Sequence, residues 1–307
     1  MNSWPRVAVV GPGAVGGYFG GMMAHAGAPV VFIARPAFVA AVAANGLYLD
    51  TIHFKKSVSI AASSDFAAVA DAELVLFCVK TVDNAAAARA LEPHLAKGAT
   101  VVSLQNGVDN AEQIRAVLNV DVLPAVVYVA ASVPAPGQVK QIARGDLIVG
   151  PPGQRARDVA EVFERAQIPC RVSANIDGEL WIKLVLNCAL NAISALGQAR
   201  YGRIAESEDA RKLLESVVRE VLAVATAAGI VVPGLDTVEQ AMQAVVKLAT
   251  AMRQVWSSTA QDIGRGKLTE IDSLNGYIAR RGTSLGVATP VNQALATLVR
   301  LLEKKTD

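Results

Sequence analysis

Apolar and polar residues follow two different patterns along this chain of 307 residues. In the first half, short apolar runs alternate with segments of helical periodicity, which is typical of a doubly wound parallel sheet. The expected strands are 6–10, 29–34, 74–79, 100–104 and 125–131, with a hairpin-like pair at 138–142 and 146–149 and an edge strand at 170–172. The expected helices are 14–26, 37–45, 84–94, 111–118 and 155–166. This half is therefore predicted to be an α/β domain.

From about residue 175 the strand patterns disappear and long helical patterns follow. The expected helices are 178–196, 207–228, 235–248, 269–281 and 291–304. Pro233 and Pro290 mark turns or first helical positions. The sequence thus predicts an α/β domain over 1–174 and an all-helical domain over 175–307.

Composition and charge exclude several classes of protein. Hydrophobic residues are 52% and charged residues 18% of the chain, which is an ordinary globular composition. A net charge of +2 with no lysine or arginine run argues against nucleic-acid and membrane partners. The longest uncharged runs, 7–34 and 122–139, are interrupted by glycine and proline, so we expect no membrane span.

The cysteines and histidines indicate a reduced, metal-free protein. Cys78, Cys170 and Cys188 are widely spaced and form no C-x-x-C pair, so we expect buried thiols and a cytoplasmic location. The histidines are scattered, and no histidine-based metal site is visible.

The clearest chemical motif follows the first predicted strand. Gly11, Gly13 and Gly16 have G-x-G-x-x-G spacing, directly after an apolar run and before a helical segment. In such a turn the first glycine allows a tight bend, the second lets phosphates approach the backbone, and the third lets helix and strand pack closely. The motif predicts a site for a dinucleotide pyrophosphate at a helix N-terminus. A glycine-rich turn in another kind of α/β protein is the alternative.

Arg35 indicates which nicotinamide dinucleotide is bound. An acid about 20 residues beyond the glycine turn would bind the ribose 2′-hydroxyl and select NAD. Here the second strand ends in Arg35, and no carboxylate follows before Asp50. A guanidinium suits a 2′-phosphate, so NADP(H) is favoured. Alternatively, Arg35 is a solvated charge at the start of a helix.

Two further polar residues follow predicted strands. Lys80 ends the third strand, and Asn106 follows the fourth. Since the carboxyl ends of strands in such a sheet face the ligand crevice, both are candidate cofactor contacts. Taken singly, they also fit a surface lysine and a turn asparagine.

The second half contains a polar stripe on an otherwise apolar helix. Lys183, Asn187 and Asn191 recur every four residues and so share one helix face. A lysine in such surroundings needs a carboxylate or an anionic substrate. A buried structural network is the competing interpretation. Further along, Glu270 is the candidate partner of Lys183, whereas Asp272 fits a first-turn residue that complements the helix dipole.

Together these segments resemble the ketopantoate reductase (2-dehydropantoate 2-reductase) family nearly end to end. The resemblance rests on several segments of the sequence: Gly11-Pro12-Gly13-Ala14-Val15-Gly16, Arg35, Val79-Lys80, Leu104-Gln105-Asn106-Gly107, Trp181-x-Lys183-Leu184-x-x-Asn187-x-x-x-Asn191, Ser257-Ser258-x-x-Gln261-Asp262, Thr269-Glu270-Ile271-Asp272 and Thr289-Pro290-x-Asn292. It implies an N-terminal NADPH-binding domain of Rossmann type and a C-terminal helical domain for substrate binding and catalysis.

The resemblance also implies an activity and roles for individual residues. The implied activity is NADPH-dependent reduction of 2-dehydropantoate to pantoate in pantothenate biosynthesis. The resemblance also allows the protein to be a homodimer. Lys183 would be the proton donor and Glu270 would hold it in place. The implied cofactor contacts are Gly11, Pro12, Gly13, Ala14, Val15, Gly16, Arg35, Lys80, Asn106, Ala130 and Glu270. The implied substrate contacts are Asn106, Lys183, Asn187, Asn191 and Ser258.

One position departs from the family pattern. Tyr201 stands where some members have a substrate-binding asparagine. This keeps open a reductase of the same fold that acts on another small 2-keto or 3-keto acid. A catalytically silent nucleotide-binding regulator is a further alternative, against which the presence of Lys183, Asn106 and Glu270 argues.

Overall fold

The computed structural model describes residues 3–303, which divide into two compact units. The first unit runs to Gln105 and resumes over 109–176. The second unit takes the short segment 106–108 and the chain from Asp177 onwards. The segment 106–108 lies outside the helical domain that the sequence predicts. The assignment of cofactor binding to 1–174 and of substrate binding and catalysis to 175–307 stays a prediction.

The first unit is built on a sheet of ten strands among the described residues. In chain order they are β1 (Val7–Val10), β2 (Val30–Ile33), β3 (Leu47–Asp50), β4 (Lys55–Val58), β5 (Ala61–Ser63), β6 (Leu74–Phe77), β7 (Thr100–Ser103), β8 (Val122–Ser132), β9 (Gln138–Val149) and β10 (Cys170–Val172). Their order across the sheet is β4-β3-β9-β8-β7-β6-β1-β2-β5, and β10 pairs with β9. All pairings are parallel except β3 with β4 and β8 with β9.

Helices cover both faces of this sheet. They are α1 (Ala14–His25), α2 (Pro36–Asn45), α3 (Asn84–Leu91), α4 (Asn110–Leu118) and α5 (Gln154–Arg165). Alternate residues of each central strand enter different cores: Val7 and Val9 pack with α1 and α5, whereas Ala8 and Val10 pack with α3 and α4. Burial on both faces explains why the strands are continuous apolar runs. The predicted doubly wound α/β fold is confirmed.

The sequence prediction missed β3, β4 and β5. The strand β4 has three exposed residues in four, and β5 is only three residues long, so neither carries an apolar pattern. Pairing with neighbouring strands defines them: β3 lies parallel to β9, and β5 lies parallel to β2. The predicted hairpin-like pair at 138–142 and 146–149 is instead one strand, β9, which is antiparallel to β8.

From Asp177 to residue 303 the second unit consists of helices and connecting loops, with no strand among these residues. Its helices are α6 (Ile176–Leu196), α7 (Tyr201–Glu206), α8 (Glu208–Ala227), α9 (Val238–Ala251), α10 (Ser258–Gly264), α11 (Asn275–Leu285) and α12 (Pro290–Leu302). The short helices α7 and α10 were not predicted. As expected, Pro290 is the first residue of its helix.

The predicted helix over 269–281 is wrong at its start. Only a 3-10 turn, Ile271–Ser273, precedes α11. The backbone N–H of Thr269 donates to Glu303 Oε1 at 2.8 Å, and Leu274 has φ −113° and ψ −110°, outside the helical region. This tertiary contact holds the segment in an irregular path and sets Glu270 just ahead of the turn.

One described helix, α6, is long and apolar enough to cross a membrane by length and composition. However, 67% of its apolar window is buried inside the structure, where Leu184, Val185 and Cys188 form part of the core of the second unit. This packing is that of a core helix. The two uncharged runs that the sequence analysis considered are a strand–helix–strand unit and the β8–β9 region.

The three cysteines are free thiols, and we expect them to be unreactive in the folded protein. Burial raises the pKa of Cys78 and Cys188, and it raises the pKa of Cys170 to about 12. Because the thiolate is the nucleophile, little of it exists at pH 8. An aromatic disulfide reagent at pH 8 should label no thiol rapidly in the native protein and all three in denaturant. Cys170 and Cys188 are buried and Cys78 is half-buried, so rapid native labelling of Cys170 or Cys188 would contradict the structure.

Candidate functional site

The glycine turn lies between β1 and α1, and two of its glycines are required by the fold itself. Gly11 has φ +77°, and a Cβ there would lie 2.7 Å from Val79 Cγ1. A Cβ on Gly16 would lie 2.9 Å from Val9 Cγ1 and from Cys78 Cβ. The first glycine therefore permits the turn, and the third permits close packing of helix and strand, as the motif predicts.

Gly13 is different because no neighbouring protein atom would clash with a methyl side chain at this position. A Cβ there would meet only Gly11 O, at 4.0 Å, and the residue is exposed. It is the N-cap of α1, which has no side-chain cap hydrogen bond and no acid in its first turn. The N-terminal N–H groups of α1 thus lack a side-chain acceptor, and the missing Cβ leaves the backbone open to a close ligand. This geometry fits a pyrophosphate. Pro12 is buried, while Ala14 and Val15 are half-buried in the first turn of α1.

The role of Gly13 can be tested against a matched glycine. We expect Gly13→Ala to weaken binding of the dinucleotide that the motif predicts while the melting temperature stays close to that of the wild type, because the added methyl would meet only the phosphates of such a ligand. Gly153 is also an N-cap glycine with no atom within 4 Å of a built Cβ, so Gly153→Ala controls for the change of cap residue. Fluorescence titration with NADPH measures the effect. Equal affinity for the two variants would contradict a phosphate site at Gly13.

Arg35 lies where the second strand of the sheet meets α2. It follows β2 by two residues, is exposed, and is the N-cap residue of α2 without a side-chain cap bond. Within residues 3–303 the structure shows no ion pair for its guanidinium. A cation at a helix N-terminus is electrostatically unfavourable, so stabilisation of α2 does not explain it. An anionic ligand at this strand end would be attracted by both the guanidinium and the helix.

Lys80 follows β6 and is half-buried, between two residues whose polar groups are hydrogen-bonded. On one side, the carbonyl of Val79 accepts from Gln105 Nε2 at 2.7 Å. On the other side, the hydroxyl of Thr81 donates to Asn110 Oδ1 at 2.9 Å. These bonds fix the backbone on both sides of Lys80.

A buried amide network supplies these bonds, and the sequence analysis missed it. Gln105 Nε2 also donates to Asn84 Oδ1 at 2.6 Å, and Asn84 Nδ2 donates to Asn110 Oδ1 at 2.9 Å. All three side chains are buried, where unsatisfied amides are costly. The signal in the sequence was a set of amide residues just after two predicted strands. The network holds the carboxyl ends of β6 and β7 together.

Ala130 lies within β8, opposite Ala143 of β9. The register of this pair shifts between Ala130 and Ala131, so the ladder is irregular at the predicted contact. Its role as a backbone contact to the cofactor stays a prediction.

Asn106 and Glu270 meet in the second unit although 164 positions separate them in the sequence. Asn106 Nδ2 donates to Glu270 Oε2 at 2.8 Å, and both residues are half-buried. The contact fixes the orientation of the Asn106 amide, whose oxygen points away from the carboxylate. Two residues that the sequence analysis proposed for one site are thus brought together.

The polar stripe lies on one face of α6, as the four-residue spacing requires. Lys183 and Asn187 are half-buried, and Asn191 is only 2% exposed. Along the helix axis, Lys183 and Asn191 are about 12 Å apart, from a rise of about 1.5 Å per residue. The stripe therefore runs from a partly accessible lysine to a fully enclosed amide. Pairing of Lys183 with Glu270 stays a prediction.

At the enclosed end of the stripe, Asn191 belongs to a local hydrogen-bond network. Its Oδ1 accepts from the Tyr201 hydroxyl at 3.0 Å, and its Nδ2 lies 3.5 Å from Ser258 Oγ. Its backbone carbonyl accepts from the hydroxyl of Ser257 at 3.0 Å. Ser257 is the buried N-cap of α10, and Ser258 is the exposed first residue of that helix. The network joins α6, α7 and α10.

Two polar residues of the recognised motifs, Asp272 and Asn292, make structural contacts. Asp272 accepts from Arg300 Nε at 2.9 Å on the surface. The carboxylate of Glu220 caps α12 by accepting from the backbone N–H groups of Val291 and Asn292, both at 2.9 Å. Asn292 in turn accepts from Asn275 Nδ2 at 2.9 Å. These residues hold α8, α11 and α12 together.

No cluster of side chains that could bind a metal ion is seen in the part of the chain that the structure describes. No group of three or more histidine, cysteine, aspartate or glutamate side chains lies together there. The titratable residues of interest are instead one lysine and one glutamate.

Comparison with solved structures extends the agreement in fold. A crystal structure of a PanE/ApbA family ketopantoate reductase from Ralstonia eutropha JMP134 superposes with a TM-score of 0.92, at 48% identity, over 97% of this chain and 98% of that one. A ternary structure of D-mandelate dehydrogenase with NADH and anilino(oxo)acetate superposes with a TM-score of 0.89 over 97% and 98% of the chains. At 23% identity, that likeness concerns the fold alone.

Comparison of sequences identifies the family. The model of ketopantoate reductase PanE/ApbA matches residues 7–154, and the model of its C-terminal part matches 175–303. A 2-dehydropantoate 2-reductase from Halobacterium salinarum is 32% identical over 306 residues, which are 97% of this chain and 99% of that protein. The chain therefore belongs to the ketopantoate reductase family and is a nicotinamide-dependent oxidoreductase.

Proposed function

We propose that this protein reduces 2-dehydropantoate to pantoate with NADPH, a step of pantothenate biosynthesis in the cytoplasm. The observation that carries the proposal is the hydrogen bond between Asn106 and Glu270 at 2.8 Å. It places two residues of the proposed site in contact, in the same unit as Lys183. Curated relatives named 2-dehydropantoate 2-reductase support the substrate. A homodimer stays a prediction.

For the cofactor, we propose two groups of protein contacts. The turn Gly11–Gly16 would hold the pyrophosphate, and Arg35 would bind the 2′-phosphate that distinguishes NADPH from NADH. Lys80, Asn106, Ala130 and Glu270 would contact the rest of the dinucleotide. The open backbone at Gly13 and the exposed guanidinium at the N-terminus of α2 support this assignment.

For the chemistry, we propose that Lys183 is the proton donor. When bound, reduced nicotinamide supplies a hydride to the ketone carbon. The ammonium of Lys183 stabilises the negative charge that develops on the ketone oxygen and then donates the proton to it, which gives the hydroxy acid. Glu270 orients the ammonium, and Asn106, Asn187 and Ser258 supply the polar surface for the substrate. Asn191 is only 2% exposed and contributes to that surface from behind Ser258. A half-buried lysine on an otherwise apolar helix suits this role because an anionic substrate compensates its charge.

The proposal is tested by following NADPH absorbance with purified protein. We expect 2-dehydropantoate to give the highest kcat/KM in a panel of small 2-keto and 3-keto acids, and NADPH to be preferred over NADH. If another keto acid gave a higher kcat/KM, the proposed substrate would be wrong and the proposed reaction, reduction of a keto acid, would still hold. No oxidation of NADPH with any keto acid, in protein that binds NADPH, would favour a regulator.

Glu270 should act through Lys183, which a double-mutant cycle on kcat/KM can test. We expect Glu270→Ala to slow the enzyme about 10²-fold, at the low end of what a positioned acid contributes, yet to add little on a Lys183→Ala background. Residues that act as one unit are non-additive in this way. Asp272→Ala is the matched control, since Asp272 is a nearby carboxylate paired with Arg300 on the surface. Fully additive losses would mean that Glu270 works separately from Lys183.

A further inference from the structure

Tyr201 is the position at which this chain departs from the family pattern, and its surroundings give it a definite hydrogen-bonding role. The side chain is 8% exposed and packs in the core of the second unit. Its hydroxyl lies 3.0 Å from Asn191 Oδ1. Within residues 3–303, this is the hydrogen bond that the structure shows for the phenol.

The direction of that bond follows from burial. A buried O–H without an acceptor is energetically costly, so the proton of Tyr201 is directed to the amide oxygen of Asn191. Burial also raises the pKa of Tyr201, which keeps the phenol protonated. The amide of Asn191 is therefore held with its oxygen toward Tyr201 and its Nδ2 toward Ser258 Oγ, 3.5 Å away.

The orientation of the Asn191 amide also sets the direction of the Ser258 hydroxyl proton. With Nδ2 of Asn191 facing it, the serine oxygen is approached by a donor, so its own proton is directed elsewhere. Ser258 is exposed, and no acceptor for its proton is seen among the described residues. The hydrogen-bonded series Tyr201, Asn191 and Ser258 thus leaves the Ser258 hydroxyl as a donor at the first turn of α10.

We infer that Tyr201 is a positioning residue that orients Asn191, and through it Ser258, so that Ser258 donates a hydrogen bond to the carboxylate of the keto acid. An anionic acceptor gains most from an oriented donor, because charge-assisted hydrogen bonds are about twice as strong as neutral ones. The inference rests on the proposed function, which supplies the carboxylate.

This assigns Asn191 an indirect role. Asn191 is 2% exposed and lies about 12 Å along α6 from Lys183, from the helical rise of about 1.5 Å per residue. Ser258, in contrast, is accessible. Asn191 therefore contributes to substrate binding through the serine. Tyr201 does not contact the substrate itself; it sets the direction of the hydrogen bonds that Asn191 and Ser258 make.

A double-mutant cycle of Tyr201→Phe and Ser258→Ala tests the inference, with kcat and KM for the keto acid measured at saturating NADPH. We expect Tyr201→Phe to raise KM about fivefold, the equivalent of one hydrogen bond, and to leave kcat within about twofold. In the Ser258→Ala background the same change should leave KM unaltered, because Tyr201 acts on substrate only through Ser258.

Tyr18→Phe is the matched control. Tyr18 is a buried tyrosine of the first unit whose hydroxyl also bonds a buried amide, accepting from Gln141 Nε2 at 3.1 Å. The variant Tyr18→Phe should change the melting temperature about as much as Tyr201→Phe does and leave KM for the keto acid unchanged.

The outcomes separate this inference from the proposed function. Turnover of 2-dehydropantoate with additive effects on KM, or an equal rise of KM in Tyr18→Phe, would overturn the inference and leave the function in place. Absence of turnover with every 2-keto acid would overturn both. Turnover with a non-additive KM effect confined to Tyr201 supports both.

Discussion

Replacement of Lys183 by alanine should lower kcat by about 10²–10⁴-fold, the contribution typical of a positioned general acid. The fold should persist, because the side chain is only half-buried and the apolar face of α6 makes the core contacts. NADPH should still bind, since the residues proposed to hold its phosphates, the glycine turn and Arg35, belong to the other unit. The measurements are kcat and KM, the melting temperature and NADPH titration.

Two further variants sharpen the test of Lys183. Lys183→Arg keeps the positive charge but holds its proton too tightly to donate it, so activity that stays low would separate proton transfer from charge stabilisation. Lys247→Ala removes an exposed lysine from another helix, α9, and should leave kcat unchanged. A loss below about tenfold in Lys183→Ala, with KM unchanged, falls well short of the range for a general acid. The structural interpretation of the stripe would then hold.

Replacement of Arg35 by alanine should weaken NADPH about 10- to 150-fold and change NADH little. A charge-assisted phosphate contact contributes about 1.5–3 kcal/mol, and each 1.4 kcal/mol is a factor of ten in affinity. NADH has no 2′-phosphate, so it loses nothing specific. Because the guanidinium is exposed, we also expect the proposed preference of the wild type for NADPH to diminish at high salt.

The control for Arg35 is Arg89→Ala, which removes an exposed arginine from α3 in the same unit. It should alter the affinity for neither cofactor. Titration of both cofactors against both variants decides the result. An equal loss of NADPH and NADH affinity in Arg35→Ala would refute the NADP assignment and leave Arg35 as a solvated charge at the start of α2.

Much of the first unit could be predicted because its signals are local. The strands β1 and β6 are buried on both faces, so each is a continuous apolar run in the sequence. The turn at Gly11 requires a positive φ that glycine tolerates best. Strands such as β4, which exist through pairing rather than through an apolar pattern, left no comparable signal.

The sequence by itself determined the fold class, the glycine turn, and the spacing that puts Lys183, Asn187 and Asn191 on one face of α6. These features depend on backbone sterics and on periodicity, which act over a few residues. The tertiary structure alone decided that Asn106 contacts Glu270, 164 positions away, and that Tyr201 fixes the amide of Asn191. Such contacts join side chains from elements that meet only when the apolar faces pack. No local pattern specifies their partners or the direction of their hydrogen bonds.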